Sequence, residues 1–404
     1  MRNRMYETST SMSVFFPPTS SPMPGRGVPI GNDFEGGVFR YDPFRLYEDG
    51  YLTNLNMVVV GQIGRGKSAL VKSLLYRQYL SGHEFFVLDP KGEYEGLCKL
   101  TGARRIQPSA RTRLGLNPFP GYDAALEPAA NLARLVLASY DLVEAVIARR
   151  LDPIERHFVD QSIRSSIQRR GLVDVAELHR GLLESPESYS TLEVGVRLGL
   201  AAEVRRLIDG DLAGLVASDG DSLFDTGSMV VDLSSLVGTA ALGITVNLLL
   251  SHRQSLLAGR GAKGSYFVLD EAWALLKGAT VVDWFASLWK LSRSHGIANI
   301  AVQHRLSDLS RVGAESSAGL ALDSETFVVY AQPASESEAM RRFLAIPHPV
   351  ASSLPRLRKG VALWKVGDRL SMVAHRLHPS EQPITDTDGA IRTSAKFSTR
   401  TEVS

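Results

Sequence analysis

A glycine-rich segment near the start of the chain has the residue types and spacing of a phosphate-binding loop. Residues 61–68 are Gly-Gln-Ile-Gly-Arg-Gly-Lys-Ser and match the pattern G-x-x-x-x-G-K-[ST] at every fixed position. Glycines let successive backbone N–H groups turn toward phosphate oxygens. The lysine would contact the β- and γ-phosphates, and the serine hydroxyl would bind Mg²⁺. We therefore predict an ATP site whose binding residues are Gly61, Gln62, Ile63, Gly64, Arg65, Gly66, Lys67, Ser68 and Ala69.

The sequence on either side of this loop predicts the strand and the helix that the motif needs around it. Residues 54–60 end in three valines, which is typical of a buried parallel strand. Residues 69–80 have apolar side chains at helical spacing and stop before Gly82, a helix-ending residue. The alternative is a chance glycine-rich turn, and these flanks disfavour it.

A second candidate for chemistry is the pair of acids Asp270 and Glu271, which follows the strand predicted over 265–269. Asp270 is predicted to hold the Mg²⁺ shell, and Glu271 to orient and deprotonate the attacking water. The alternative is a solvated strand end before a helix whose first turn favours acids. Asp89 also ends a strand, but a proline follows it and no second carboxylate is adjacent, so it ranks lower. Asp89 or Glu93 could instead line the pocket.

Two further polar residues lie near predicted strand and helix ends. Gln303 ends the strand predicted over 298–303, where its amide could sense the γ-phosphate or the attacking water. A glutamine at a strand end is more often only a polar cap. Arg293 lies at the end of the helix predicted over 281–294, where a cation usually just complements the helix dipole. The alternative is an arginine finger that reaches the γ-phosphate of a neighbouring subunit.

The composition excludes several classes of protein. A hydrophobic fraction of 44% in 404 residues supports a large core, and the net charge of +2 does not indicate a nucleic-acid binder. The single cysteine, Cys98, excludes an internal disulfide. The sequence has no signal peptide, and its longest apolar stretch, 236–250, is too short to span a bilayer. We expect a cytoplasmic protein that could still dock at the inner face of a membrane.

The remaining charged residues give weaker signals. The histidines, His295 and His304 among them, have no metal-ligand spacing, so we predict no metal other than Mg²⁺ and interpret these two as ordinary polar residues. Two arginine-rich groups are candidates for contacts with substrate or with a phosphate backbone, and a solvated basic surface is an equally good interpretation. They are Arg104, Arg105, Arg111 and Arg113, and Arg341, Arg342, Arg356, Arg358 and Lys359.

Alternating strand and helix signals on both sides of the loop predict an α/β fold with a mainly parallel sheet. Residues 360–366 and 369–374 are predicted to form a hairpin across a Gly367-Asp368 turn. Between residues 121 and 218 helical periodicity takes over, although residues 192–198 alternate as a strand would. The predicted organisation is a disordered leader (1–30), an ATPase domain (31–120 and 219–380), an all-helical insertion (121–218) and a flexible tail (381–404).

Several of these motifs occur in an order that resembles the HerA–FtsK superfamily of P-loop ATPases. They are the phosphate loop, the Asp-Pro-Lys-Gly-Glu-Tyr run at 89–94, Leu-Asn-Pro-Phe at 116–119, Asp-Glu-Ala-Trp at 270–273, and Gln303. Within the superfamily, the sequence is most similar to the ATPases of conjugative type IV secretion. The likeness covers roughly residues 31–388. Those ATPases usually carry a large N-terminal docking domain, whereas about thirty residues precede the predicted motor here, so we expect a minimal or actinobacterial-type variant.

The resemblance implies a RecA-like core that binds ATP and Mg²⁺ and works as a homo-hexamer with ATP at subunit interfaces. It implies that Lys67 and Ser68 bind the phosphates and Mg²⁺, that Asp270 is the metal carboxylate and Glu271 the base, and that Gln303 is the sensor. It matches Arg293 to an arginine that acts in trans. The implied partners are further copies of the chain, a membrane secretion complex, and DNA or protein cargo.

Three functions remain after these observations. The favoured one is an ATP-hydrolysing motor of conjugative DNA transfer or type IV secretion. The second keeps the fold and changes the cargo, as a HerA-like or FtsK-like translocase of duplex DNA in repair or partition. The third is a nucleotide-regulated assembly scaffold with little turnover, which the second carboxylate of the Asp270-Glu271 pair argues against.

Overall fold

A computed structural model describes most of the chain. The described residues are 25–108, 117–119, 124–171, 173–184, 189–216, 227–257, 264–271, 288–290, 292–305 and 323–385. Most of the predicted leader, the end of the predicted tail and most of the helix predicted over 281–294 lie outside them. So do Leu116 and the Ala-Trp half of the Asp-Glu-Ala-Trp motif.

The described strands and helices alternate along much of the chain. The strands are β1 (Val28–Asp33), β2 (Val38–Tyr41), β3 (Met57–Val60), β4 (Glu84–Asp89), β5 (Arg104–Ile106), β6 (Met229–Asp232), β7 (Ser265–Leu269), β8 (Ile297–Gln303), β9 (Thr326–Val329), β10 (Val361–Val366) and β11 (Arg369–His375). The α-helices are α1 (Pro43–Glu48), α2 (Lys67–Leu80), α3 (Glu95–Thr101), α4 (Pro128–Ile147), α5 (Pro153–Arg170), α6 (Val175–Leu183), α7 (Thr191–Asp209), α8 (Ala240–Leu257), α9 (Ser337–Leu344), α10 (His348–Ser353) and α11 (Gln382–Thr385).

The described strands form one sheet in the order β2-β1-β11-β10-β9-β3-β8-β7-β4-β6-β5. From β9 to β5 all neighbours are parallel, whereas β10, β11, β1 and β2 extend one end antiparallel. The predicted α/β fold with a mainly parallel sheet is confirmed. Because parallel strands share one direction, β3, β8, β7 and β4 present their carboxyl ends at one edge.

Both faces of the parallel strands are buried, which explains their continuous apolar sequences. Side chains of β4 alternate between the faces. Val87 lies in one buried cluster with Leu74 of α2, on the face that the phosphate-loop helix covers. Leu88 lies in a second cluster with Val143 of α4 and Phe158 of α5. The segment predicted as an all-helical insertion therefore contributes α4 to α7 and shares its hydrophobic core with the sheet.

The residues that alternate like a strand, 192–198, are helical. They belong to α7, which begins with a capping box in which Ser190 and Glu193 each bond the other's backbone N–H. The hairpin of β10 and β11 forms with Val366 opposite Arg369, and Gly367 has the positive φ of 56° that a primed turn requires.

Two predicted boundaries differ from the structure. The leader was expected to reach residue 30, but β1 begins at Val28, because this segment pairs with both β2 and β11. The second boundary is the end of the helix predicted over 281–294. The chain is not helical at residue 294, because residues 292–296 form a turn in which the Gly296 N–H donates to the Arg293 carbonyl.

The flexible tail was expected from residue 381, and for residues 381–385 this is wrong. Glu381 is 1% exposed and its carboxylate accepts two bonds from Arg77 of α2, at 2.6 and 2.7 Å. Arg77 also donates to the carbonyls of Pro29 and Arg376. The polar residue Glu381 thus forms a buried ion pair that joins its segment to the phosphate-loop helix, and Arg77 in turn bonds β1.

We expect a Glu381→Ala variant to lose roughly 3 kcal/mol of unfolding free energy, because it leaves a buried guanidinium without its carboxylate. Burial opposes and Arg77 favours the ionised form, and the net effect lowers the pKa of Glu381. The contribution is therefore complete above the unfolded-state pKa and is lost as the pH falls through the lower folded-state value. Urea unfolding at neutral and acidic pH measures both effects.

The matched control is Glu338→Ala, which removes an exposed carboxylate paired with Arg341 and Arg342. Surface ion pairs contribute little, so its unfolding midpoint should stay at the native value. Equal losses for the two variants would contradict a special role of the buried pair.

None of the helices among the described residues is both long and apolar enough to cross a bilayer.

Candidate active site

The phosphate loop connects β3 to α2 and has the backbone that its glycines allow. Gly64 and Gly66 have positive φ values of 76° and 114°. At Gly61 a Cβ would lie 2.5 Å from the Cβ of Tyr330, so only glycine fits beside the neighbouring strand. No side chain caps the N-terminus of α2 at Gly66, so the first backbone N–H groups of the helix are left to an anion.

Other residues of the loop differ in exposure. Ile63 is 77% exposed, whereas Ser68 and Ala69 are half-buried in the first turn of α2. Arg65 donates to the Gln62 side chain at 3.2 Å, and the Arg65 carbonyl accepts from the Gly360 N–H at 3.0 Å. The loop is thereby fixed to the turn before β10.

Lys67 is 6% exposed, and its ammonium group contacts three acceptors. It donates to the carbonyls of Gly61 at 2.6 Å and Gln62 at 3.2 Å, and lies 3.3 Å from Nδ1 of His304. Burial lowers the pKa of Lys67 to about 8, and the nearby Glu271 carboxylate opposes that shift. The group is therefore mainly charged at neutral pH, as phosphate binding requires.

Asp270 directly follows β7 and is 1% exposed. Its Oδ1 accepts from the Glu271 N–H at 3.0 Å, and its Oδ2 is buried without a hydrogen-bond partner among the described residues. Burial raises the pKa of Asp270, and the Glu271 carboxylate raises it further. A buried carboxylate oxygen without a partner needs an opposite charge, so the position fits the predicted magnesium ligand.

Glu271 has a positive φ of 51°, which is uncommon for a residue with a side chain and is held only where contacts require it. It is 3% exposed, and its two oxygens have different partners. Lys91 donates to Oε1, and Nε2 of His304 lies 2.8 Å from Oε2. The predicted base is thus held from two sides at the edge that carries the phosphate loop.

Asp89 organises the loop that follows β4. Its carboxylate accepts from the N–H groups of Lys91, Gly92 and Tyr94 at 3.1, 2.9 and 3.0 Å, which folds residues 89–94 around it. Burial raises the pKa of Asp89 to about 6. Glu93 from the same loop pairs at 3.3 Å with the buried Lys72 of α2. These contacts place Lys91 against Glu271.

Gln303 lies where the sequence predicts it, at the end of β8, between the strands that lead to the phosphate loop and to Asp270. It is 1% exposed, and both atoms of its amide lack a partner among the described residues. Gln332, just beyond β9, was not predicted and is equally buried, with Oε1 also without a described partner. Each of the two strands that flank β3 is therefore followed or ended by a buried amide: Gln303 ends β8, and Gln332 lies just beyond β9.

His304 was interpreted as an ordinary polar residue, and the structure shows otherwise. Its ring lies between Lys67 and Glu271, with one nitrogen facing each. The available signal was its position one residue after the sensor glutamine at a strand end. Sequence alone could not show that Lys67 and His304, which are 237 positions apart, are in contact.

Arg293 is exposed in the turn before β8. Residue 297 begins β8 and residue 303 ends it, so Arg293 lies about 20 Å from the edge with its own phosphate loop, at 3.3 Å a residue. The structure does not bring it to the other site residues of the same chain. Its predicted role in trans stays a prediction.

The candidate basic contacts are dispersed. Arg356, Arg358 and Lys359 are exposed, and Arg358 and Lys359 directly precede the glycine that bonds the phosphate loop. Arg105 pairs with the buried Asp232 at 2.5 Å, so it has a structural role. Arg111 and Arg113 lie outside the described residues.

Comparison with known proteins adds independent findings. Residues 30–141 match the family model described as the TraG P-loop domain. The chain is 25% identical over 299 residues to Protein TraC of Escherichia coli strain K12. That alignment covers 70% of this chain and 33% of TraC, so the chain spans about a third of that relative's length.

Two solved structures share the fold. VirB4 of Thermoanaerobacter pseudethanolicus has a TM-score of 0.74 at 20% identity, covering 90% of this chain and 100% of that one. The plasmid coupling protein TrwB in complex with ADP and Mg²⁺ has a TM-score of 0.58 at 16% identity, covering 82% and 88%.

Proposed function

We propose that this chain is a P-loop ATPase of the HerA–FtsK superfamily that acts as a motor of conjugative DNA transfer or type IV secretion. The match of residues 30–141 to the TraG P-loop domain and the similarity to TraC support this proposal. The motor would couple hydrolysis of Mg²⁺-ATP to substrate translocation or apparatus assembly. The observation that supports turnover is the placement of two carboxylates beside the phosphate-loop lysine. Lys67 and Glu271 are linked through one ring, at 3.3 and 2.8 Å. A protein that only binds nucleotide does not need the second carboxylate.

Each residue of the site has a distinct part in the proposed reaction. The backbone of the phosphate loop and Lys67 bind the triphosphate, and Ser68 and Asp270 hold Mg²⁺. Mg²⁺ supplies positive charge that offsets the negative charge of the phosphates. Glu271 orients a water and accepts its proton as that water attacks the γ-phosphorus, and ADP leaves with the bonding electrons. Gln303, whose amide is buried at the same edge, hydrogen-bonds the γ-phosphate or the water.

The experiment that tests this function is the rate of ATP hydrolysis with no DNA, with single-stranded DNA and with duplex DNA, combined with a mass measurement in the presence of ATP. A conjugative or secretion motor should hydrolyse ATP and assemble into oligomers. Stimulation by duplex DNA alone would favour the HerA-like or FtsK-like translocase. If the chain binds ATP stoichiometrically but hydrolyses none under any of these conditions, the nucleotide-regulated assembly scaffold is the function that remains.

Assembly into a homo-hexamer is part of the proposal, as is docking on a membrane secretion complex at the inner face of the membrane. If Arg293 contacts a γ-phosphate, that phosphate must belong to a neighbouring chain, because this exposed cation lies about 20 Å from its own phosphate loop.

For Arg293 we expect trans-complementation. An Arg293→Ala subunit keeps an intact phosphate loop, and a Lys67→Ala subunit keeps an intact arginine, so each pure variant should be nearly inactive. Loss of an arginine finger costs about 10³- to 10⁵-fold in kcat. A mixture of the two variants should regain activity at those interfaces where both functional residues meet. The steady-state ATPase rate across mixing ratios measures this.

The control mixes Lys67→Ala with Lys67→Ala carrying a second tag, which should stay inactive at every ratio. If the Arg293→Ala chain alone hydrolyses ATP at the native rate, Arg293 is only a solvated surface residue. An inactive mixture of two well-assembled variants would also exclude action in trans.

A further inference from the structure

We propose that His304 is a positioning residue that couples the phosphate-loop lysine to the catalytic carboxylate. This inference rests on the proposed ATPase function and adds a residue to it. The ring lies between Lys67 and Glu271, with Nδ1 3.3 Å from the Lys67 ammonium and Nε2 2.8 Å from the Glu271 carboxylate.

The chemistry of the two neighbours decides how the ring is protonated. An ammonium group has only donors, so Nδ1 of His304 must accept from Lys67. A neutral imidazole then carries its hydrogen on Nε2, which donates to Oε2 of Glu271. The arrangement assigns one tautomer, and it makes a continuous path from the ammonium to the carboxylate.

The backbone holds His304 in this place. Its carbonyl accepts from Nε2 of Gln332 at 3.3 Å, and Gln332 is 1% exposed just beyond β9. His304 itself directly follows β8. The end of β8 and the segment after β9 therefore both hold the backbone of His304, beside β3, which leads directly into the phosphate loop.

The contacts of Lys67 explain how the two groups are coupled. The ammonium has three donors, and three acceptors surround it: the carbonyls of Gly61 and Gln62 and the ring of His304. It cannot bind phosphate oxygens without giving up at least one of these. When the contact given up is the one to His304, Nδ1 loses its donor, and the same ring holds the base through Nε2.

The base depends on such support because its backbone is unfavourable. Glu271 has the positive φ given above, and Lys91 contacts one oxygen of its carboxylate while His304 contacts the other. A base that moves by about 1 Å can lose 10²-fold in rate. Removing His304 should therefore disturb catalysis more than nucleotide binding.

The test compares His304→Leu with His304→Gln. Leucine has neither donor nor acceptor, whereas a glutamine amide has both and can bridge the same two groups. We expect His304→Leu to lower kcat by about 10- to 100-fold, while the ATP dissociation constant stays within about threefold of native. His304→Gln should recover most of kcat. His348→Gln, at an exposed histidine of α10, is the matched control and should match the native chain.

A second measurement needs no ATP. Thermal melting of the chain with His304→Leu, with Glu271→Gln and with both forms a double-mutant cycle. If Nε2 supports the carboxylate, the double variant should melt no lower than His304→Leu alone, because neutral glutamine at 271 needs no such donor.

Three results would overturn the proposal: native kcat in His304→Leu, equal losses of kcat for leucine and glutamine, or melting shifts that simply add. A parallel loss of ATP affinity would make His304 part of the phosphate pocket and would also overturn it. If the native chain itself does not hydrolyse ATP, the proposed function fails, and the melting cycle alone then decides whether the ring is coupled to Glu271.

Discussion

A Glu271→Gln variant should bind ATP as the native chain does and hydrolyse it about 10²- to 10⁴-fold more slowly, which is the usual loss when a general base is removed. Glutamine keeps the shape of the side chain and can keep one acceptor for Lys91 or His304. It cannot take a proton from water. Steady-state turnover and the dissociation constant of ATP, measured on the same preparation, separate the two effects.

The matched control for that variant is Glu84→Gln, which changes an exposed glutamate at the opposite end of β4. It should hydrolyse ATP at the native rate. Survival of turnover in Glu271→Gln would show that another group is the base, and Asp89, with its pKa raised to about 6, would be the next to change.

A Lys67→Ala variant should lose most of its affinity for ATP. Charge-assisted hydrogen bonds contribute about 1.5–3 kcal/mol each, so losing two of them should weaken binding by about 10²- to 10⁴-fold. The fold should persist, because among the described residues the ammonium bonds to the carbonyls of its own loop and to His304. Calorimetric titration with ATP gives the affinity, and thermal melting checks the fold.

Lys99→Ala is the comparison for this variant, since Lys99 is an exposed lysine of α3 paired with Glu95. Its affinity for ATP should equal that of the native chain. Unchanged affinity in Lys67→Ala would mean that the glycine-rich turn does not bind phosphate in this protein.

The parts of the fold that could be predicted are those with a local pattern. The strand that Asp89 was predicted to end is present as Glu84–Asp89, because a buried parallel strand is a continuous apolar run. The loop at 61–68 and the acids at 270 and 271 could be predicted because each motif is contiguous and its role follows from its place at a strand end. Their placement at one edge then follows from the parallel sheet.

The rest depends on contacts between distant parts of the chain. Lys91 and Glu271 are 180 positions apart, and Arg77 and Glu381 are 304 apart. No local pattern distinguishes Lys91, Arg77 or Glu381 from solvated charges. The same reason applies to β5: residues 104–106 contain two arginines and form a strand only because β6 lies beside them.

That short strand has a consequence for how the molecule behaves in concentrated solution. β5 ends the described sheet, has three residues, and exposes two arginines. A short, charged edge strand resists pairing with the edge strand of another molecule, because the incoming strand would have to desolvate the guanidinium groups. Fibril-like growth from this side of the sheet is thereby discouraged.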